Sequence, residues 1–154
     1  MVELEDKGLL TNSPVGHVVE ILGTIDEPGM ETEIAVRKFD LPYKFSEETK
    51  KEIKRFSDSV TKSDLRDRVD LRDIPFVTID GADAKDFDDA VYCLPLEDGK
   101  FRLLVAIADV SHYVKPGCAI DKDAQLRTTS VYFPRRVIPM LPEELSNGLC
   151  SLNP

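Results

Sequence analysis

The chain has 154 residues, which is enough for one domain or for one domain and part of another. Its hydrophobic content of 42% and charged content of 32% are ordinary for a globular protein, while ten Pro and eight Gly argue against a helical bundle. The formal net charge of −9 argues against a general nucleic-acid binder, because such proteins usually carry a basic surface. It does not exclude an enzyme that meets phosphates through a bound metal ion.

The cysteines and the hydropathy of the chain indicate its compartment. Three cysteines occur with no metal-binding spacing, and Cys93 and Cys150 lie in apolar surroundings that predict buried free thiols. No run approaches the roughly 18 apolar residues of a membrane span, and no charged segment followed by an apolar core marks a secretory signal. We therefore expect a cytoplasmic protein with no membrane association.

The N-terminal third has weak β-structure signals. Residues 1–13 are mostly polar without a sustained period, and we expect them to be disordered or an artificial end. Residues 15–22 are apolar enough for a strand. Pro28 and Gly29 then predict a turn at 26–29, and residues 31–39 alternate between polar and apolar side chains. This pattern predicts a second strand that pairs with the first.

A helix is predicted next. Ser46 has the chemistry of an N-cap, acidic residues follow it directly, and basic residues come later, as the helix dipole favours. With a narrow apolar stripe, these signals predict a helix at about 46–58. Residues 58–72 are highly charged and are predicted to be a linker or a surface loop.

The remaining chain is richer in strand signals, which lie at 74–79, 90–94 and 101–109. Asp98-Gly99 separates the last two apolar runs and is a strong hairpin signal. Asp121 is predicted to cap a helix at about 122–129, and a short helix is predicted near 142–148.

An acidic stretch, residues 80–89, interrupts the strand signals and contains five Asp and one basic residue. Neighbouring carboxylates repel and raise each other's pKa, so a like-charged block between core strands needs compensation. The simplest compensation is a bound Mg²⁺ or Mn²⁺ ion, because these ions prefer carboxylate oxygens. The stretch predicts a carboxylate metal site at a strand end. From spacing alone, a solvated acidic loop and a chance Ca²⁺ site remain open, although the spacing does not fit an EF-hand.

Other polar and aromatic residues have two interpretations each. Tyr132 is either a core residue or a platform for a base, and Arg135 and Arg136 either contact phosphate or lie on a solvated loop. His112 has no partner nucleophile motif and is predicted to be structural. Asp109 follows a strand and either orients the site or caps the next turn.

Together, four segments resemble the ribonuclease II / ribonuclease R (RNB) family. They are 80–90 with the spacing D-x5-D-x-D-D, 105–110, 132–134 and 138–154. The resemblance is dense over about residues 70–154 and is closest to the ribonuclease R branch. Residues 14–42 resemble the last strands of the second cold-shock domain, an OB-like domain that precedes the catalytic domain in that family.

The resemblance implies a processive 3′→5′ exoribonuclease that hydrolyses RNA to nucleoside 5′-monophosphates. The family's catalytic carboxylates match Asp80, Asp86, Asp88 and Asp89. Its aromatic residue that packs against the bases at a single-stranded RNA 3′ end matches Tyr132.

Phosphodiester hydrolysis needs an activated water, a clamp on the phosphate and stabilisation of the leaving oxygen, and two metal ions can supply all three. We expect Mg²⁺, with Mn²⁺ as an alternative. Asp80 and Asp89 would hold one ion, and Asp86 and Asp88 would serve the second ion or the attacking water. Another carboxylate-metal phosphohydrolase is a further alternative, but it does not explain the matches at Tyr132 and in 138–154.

The predicted fold class is therefore α+β: the end of an OB-like cold-shock domain followed by the N-terminal part of an RNB catalytic domain. Residues 14–72 would form the cold-shock end with a helical linker, and 73–154 an incomplete RNB domain. We expect the chain to be a fragment that is inactive alone and that self-associates through exposed apolar surface. The alternative is a non-catalytic module for folding or partner binding.

Overall fold

The computed structural model describes residues 1–4, 15–81, 84 and 86–152. It divides into two units, Met1–Tyr43 with Phe133–Arg136, and Lys44–Tyr132 with Val137–Pro154. Helices and two-stranded sheets both occur, which confirms the α+β class. In the described part of the chain, no helix is long and apolar enough to cross a membrane.

The first unit opens with a short antiparallel pair. Strand β1, Val2–Leu4, pairs with β2, Gly16–Val18. The disorder predicted at 1–13 is therefore wrong for this first strand, and residues 5–13 lie outside the described residues. The strand predicted at 15–22 is confirmed over β2, and the Val19 N–H donates one more backbone hydrogen bond, to the Met1 carbonyl at 3.0 Å.

The second strand predicted in this unit is wrong, because residues 31–39 belong mostly to helix α1, Met30–Lys38. The turn predicted at 26–29 is confirmed, and its Gly29, with φ of 93°, leads directly into the helix. Acidic residues occupy the first turn of α1 and basic residues the last, which suits the helix dipole. This charge order and the burial of Val36 outweigh a short alternation that matched a strand.

The second unit begins with the predicted helix. Helix α2, Glu47–Ile53, starts after Ser46, whose hydroxyl accepts the Thr49 N–H at 3.2 Å. The predicted cap is confirmed, but the helix ends at residue 53 rather than 58. The charged segment that follows consists of turns and irregular backbone, as predicted.

A long hairpin forms the main sheet of this unit. Strand β3, Asp89–Pro95, pairs antiparallel with β4, Phe101–Ile107, through one turn of 3₁₀ helix, Glu97–Gly99. This confirms the two predicted strands and the turn. The strand predicted at 74–79 is wrong: there, only Val77 pairs, in a single bridge to β3. Pro75 has no N–H to extend the pairing.

Short elements follow β4 in chain order. They are α3, Val110–Tyr113; α4, Ala119–Arg127; β5, Val131–Phe133; β6, Arg136–Ile138; and α5, a π-type segment at Leu145–Leu149. Helix α5 confirms the short helix predicted near 142–148. The cap predicted for α4 is wrong, because Cys118 is the N-cap and the Asp121 carboxylate instead accepts the Gly117 N–H at 2.7 Å.

The core of the second unit forms where α4 meets residues 138–152, which we call the C-terminal segment. Ile120, Leu141, Leu145 and Cys150 are buried together. The buried thiol predicted at Cys150 is confirmed, and burial raises its pKa to about 11. The prediction for Cys93 is wrong: it lies exposed on β3, because the described residues leave that part of the hairpin face uncovered.

Candidate active site

The acidic stretch meets the C-terminal segment of the second unit at a cavity of about 760 Å³. Asp80, Asp86 and Asp88 line it together with Tyr132. Further lining residues come from 130–147. The structure thus gathers three of the four predicted carboxylates and the predicted aromatic residue around one space.

Tyr132 is bonded to the acidic stretch. Its hydroxyl donates a hydrogen bond to Asp86 Oδ2 at 3.0 Å, and this bond, with partial burial, raises the pKa of Tyr132. The side chain lies on β5 and the residue is 65% exposed, so the core interpretation is wrong. An exposed aromatic residue that is tethered at its hydroxyl is suited to stacking on a base.

The electrostatics of the cavity centre on Asp88. Partial burial raises the pKa of Asp88, and the nearby charges of Asp86, Asp80 and Asp89 raise it further. The other three carboxylates are therefore close enough to Asp88 to repel its negative charge, which agrees with the repulsion predicted from the sequence. A bound cation would relieve this repulsion.

Asp89 differs from the other three carboxylates. It is the first residue of β3, pairs with Ile107 across the hairpin and is not among the residues that line the cavity. The backbone beside it is fixed by the Ala108 N–H, which donates to the Asp88 carbonyl oxygen at 2.9 Å. The end of the hairpin thus fixes the end of the acidic stretch.

The donor set fits a hard divalent cation in its chemistry, since all four predicted ligands are carboxylates. In the described ranges, no three His, Cys, Asp or Glu side chains already stand close enough together to hold a metal ion. Asp83, the fifth Asp of the acidic stretch, lies outside the described residues.

Four polar residues that line the cavity were not predicted individually: Ser130 and, from the C-terminal segment, the three named next. Glu143, Ser146 and Asn147 line it from the C-terminal segment. The only sequence signal for them is the resemblance of residues 138–154 to the family, which marks the segment without assigning a role to any side chain.

The predicted substrate-binding arginines belong to the other unit. There Arg136 forms an ion pair with Glu33, and its guanidinium lies 5.8 Å from the centre of the Tyr43 ring. Arg136 therefore has partners within its own unit. A phosphate contact for Arg135 and Arg136 stays a prediction.

His112 and Asp109 both join the charged loop to α3. His112 Nε2 lies 2.9 Å from Asp64 Oδ1, and this bond is the largest cause that lowers the pKa of Asp64 to about 2. Asp109 accepts hydrogen bonds from Arg68 at 2.6 Å and from the Ser111 hydroxyl at 3.0 Å. These contacts are structural, in agreement with the prediction for His112.

Comparison with known families identifies both parts of the chain. The RNB domain family matches residues 68–154, which is more than half of the sequence. The chain belongs to the RNB domain family. The cold shock domain family matches residues 1–46, so the predicted order of a cold-shock domain followed by an RNB domain is confirmed.

Individual relatives are similar along nearly the whole chain. Ribonuclease R of Acidithiobacillus ferrooxidans is 64% identical over 143 residues, which cover 93% of this chain and 32% of that protein. Ribonuclease R of Escherichia coli is 51% identical over 154 residues, which cover 100% of this chain and 19% of that protein. The chain thus spans a third or less of the length of these RNB relatives.

Solved structures give the same assignment. Mycoplasma genitalium RNase R in complex with double-stranded RNA matches with a TM-score of 0.88 and 35% identity, over 99% of this chain and 27% of that one. The same enzyme in complex with ribose methylated single-stranded RNA matches with a TM-score of 0.81 and 38% identity, over 92% and 22%. The chain therefore shares its fold with RNase R whose structures were solved in complex with RNA.

Proposed function

We propose that the natural protein carrying this sequence is a divalent-metal-dependent 3′→5′ exoribonuclease that degrades RNA processively to nucleoside 5′-monophosphates. The observation that carries the proposal is the meeting of Asp80, Asp86 and Asp88 with the exposed Tyr132 around one cavity. Membership of the RNB family and similarity to enzymes solved with RNA support it. The activity is assigned to the natural protein because the chain spans only part of its relatives.

The four carboxylates are assigned from the family resemblance, and three of them line the cavity while Asp89 begins β3 beside it. Asp80 and Asp89 would hold one Mg²⁺ or Mn²⁺, and Asp86 and Asp88 would hold a second ion or orient the attacking water. When bound, such ions activate water, clamp the phosphate and stabilise the leaving 3′-oxygen. The chain's own contribution is an acidic segment that presents several oxygens to one space and whose repulsion favours cation binding.

Tyr132 would hold the RNA 3′ end. Tyr132 is exposed and can stack on a terminal base, and stacking needs no sequence readout, which suits a non-specific nuclease. The hydrogen bond from its hydroxyl to Asp86 would couple base stacking to the orientation of Asp86, which is a proposed metal ligand. The proposed partner is therefore a single-stranded 3′ end.

End-labelled RNA tests this proposal. The natural protein is incubated with single-stranded RNA labelled at the 5′ end or at the 3′ end, in Mg²⁺ and, as a control, in excess EDTA. We expect the 5′-labelled RNA to shorten stepwise from its 3′ end. The label of the 3′-labelled RNA should appear at once in a nucleoside 5′-monophosphate, and both reactions should stop in EDTA. Internal cleavage products, or equal rates in EDTA, would contradict the proposal.

The isolated chain has a second candidate role as a non-catalytic folding or partner-binding module. The chain spans a third or less of the length of its RNB relatives, and this favours a non-catalytic role for the chain alone. The same RNA assay on the isolated, folded chain is expected to show no shortening. Metal-dependent shortening would instead mean that this chain holds a complete site.

A further inference from the structure

Phe87 occupies a special place in the acidic stretch, because it stands between Asp86 and Asp88. The peptide groups of Phe87 connect the backbones of these two residues. A movement of the Phe87 backbone therefore shifts the backbones from which both carboxylates extend. A residue that fixes its backbone would fix two proposed ligands together.

The C-terminal segment bonds to both backbone groups of Phe87. The Phe87 N–H donates to the Ser151 hydroxyl oxygen at 3.0 Å, and the Phe87 carbonyl accepts the Leu152 N–H at 2.8 Å. Of these two bonds, only the first depends on the identity of a side chain. It joins residues that are 64 positions apart in the sequence.

Ser151 rests on a rigid support. Its own N–H donates to the Gly148 carbonyl at 2.9 Å, and the preceding Cys150 N–H donates to the Leu145 carbonyl at 2.8 Å. Leu145 is fully buried and Cys150 is 3% exposed, both in the core beside α4. The hydroxyl is thus carried by the end of α5, which is anchored in the core.

We propose that Ser151 is a positioning residue that holds the Asp86–Asp88 segment in place for metal binding. This inference rests on the proposed function. Ser151 does not line the cavity, so it acts through the Phe87 backbone rather than on the RNA. Residues that orient metal ligands typically contribute about 10- to 100-fold to metal affinity or activity.

Three substitutions at Ser151 separate the hydrogen bond from packing. Ser151→Ala removes the acceptor, Ser151→Cys is nearly isosteric but accepts weakly, and Ser151→Thr keeps the hydroxyl. Ser57→Ala is the matched control, since Ser57 is exposed and its hydroxyl accepts the N–H of the nearby Ser59 at 3.4 Å. All variants are made in the natural protein.

Amide hydrogen exchange of the metal-free protein, resolved to single residues, is the first measurement. We expect Ser151→Ala to accelerate exchange of the Phe87 amide roughly 3- to 10-fold, Ser151→Cys to have a smaller effect, and Ser151→Thr and Ser57→Ala to have none. If Ser151→Ala does not fold, Ser151→Cys decides the question. Unchanged Phe87 exchange in a folded variant would overturn the inference.

The Mg²⁺ concentration for half-maximal turnover is the second measurement. Ser151→Ala should raise it about ten-fold or more while the KM for RNA stays within about two-fold, and Ser151→Thr should restore it. If folded Ser151→Ala needs the same Mg²⁺ concentration as the wild type for half-maximal turnover, Ser151 is merely structural and the inference is overturned. A wild-type protein without metal-dependent turnover refutes the proposed function instead, and Phe87 exchange still reports whether Ser151 holds the segment.

Discussion

Tyr132 is expected to make two separable contributions, one through its hydroxyl and one through its ring. Tyr132→Phe removes only the 3.0 Å bond to Asp86. Hydrogen bonds to charged groups contribute about 1.5–3 kcal/mol, and because Tyr132 is 65% exposed we take about 1 kcal/mol, or about five-fold in turnover. Tyr132→Ala also removes the ring, whose stacking is worth about 1–3 kcal/mol per base, or roughly 5- to 150-fold in RNA affinity.

Two assays on the natural protein distinguish these contributions. Fluorescence anisotropy in EDTA reports RNA binding without turnover, and single-turnover degradation in Mg²⁺ reports the chemical step. Tyr132→Phe should bind RNA like the wild type but turn over about five-fold more slowly, while Tyr132→Ala should bind more weakly. Tyr92→Phe is the control, because Tyr92 packs on Phe76 with ring centres 6.1 Å apart and does not line the cavity. Wild-type RNA binding by Tyr132→Ala would refute the stacking role.

Two further predictions concern stability. Bonding to His112 lowers the pKa of Asp64 below its ordinary value of 3.8 to about 2, so its contribution is complete above about pH 4 and is lost as the pH falls through 2. Thermal melts of wild type and Asp64→Asn from about pH 5 to about pH 2 should therefore converge, and a constant difference would contradict this coupling. Leu145→Ala, at a fully buried core position, should cost about 2–5 kcal/mol in urea unfolding, whereas Leu126→Ala, at a position 71% exposed, should stay within about 0.5 kcal/mol. Equal costs would contradict the placement of the core at Leu145.

Elements set by local chemistry could be predicted from the sequence. Ser46 caps its helix, and Asp98-Gly99 turns the main hairpin, because both signals act within a few residues. Helix α1 was missed because a short alternation also matches a strand, and the decision depended on charge order along the helix. The predicted end of α2 at residue 58 is wrong, because the apolar stripe continues past Ile53 into residues 54–56, which form a turn rather than helix.

In the candidate site, too, local features could be predicted from the sequence and contacts between distant residues could not. The spacing of the aspartates predicted a repelling cluster, and the raised pKa of Asp88 agrees with it. The bond between Tyr132 and Asp86 joins residues 46 positions apart, and no periodicity relates the two. The contact between Ser151 and Phe87 is equally invisible, because it exists only once the core has placed α5 beside the acidic stretch.

The proposed metal-dependent RNA hydrolysis by the acidic stretch requires the Asp88 carboxylate, and Asp88→Asn tests this requirement. The natural protein, this variant and the control Asp98→Asn are each given 5′-labelled single-stranded RNA in Mg²⁺. Asp98 lies in the hairpin turn and pairs with Lys100, away from the residues that line the cavity. We predict stepwise shortening by the wild type and Asp98→Asn, and none by Asp88→Asn, which still binds RNA. Turnover by Asp88→Asn at the wild-type rate would contradict the account.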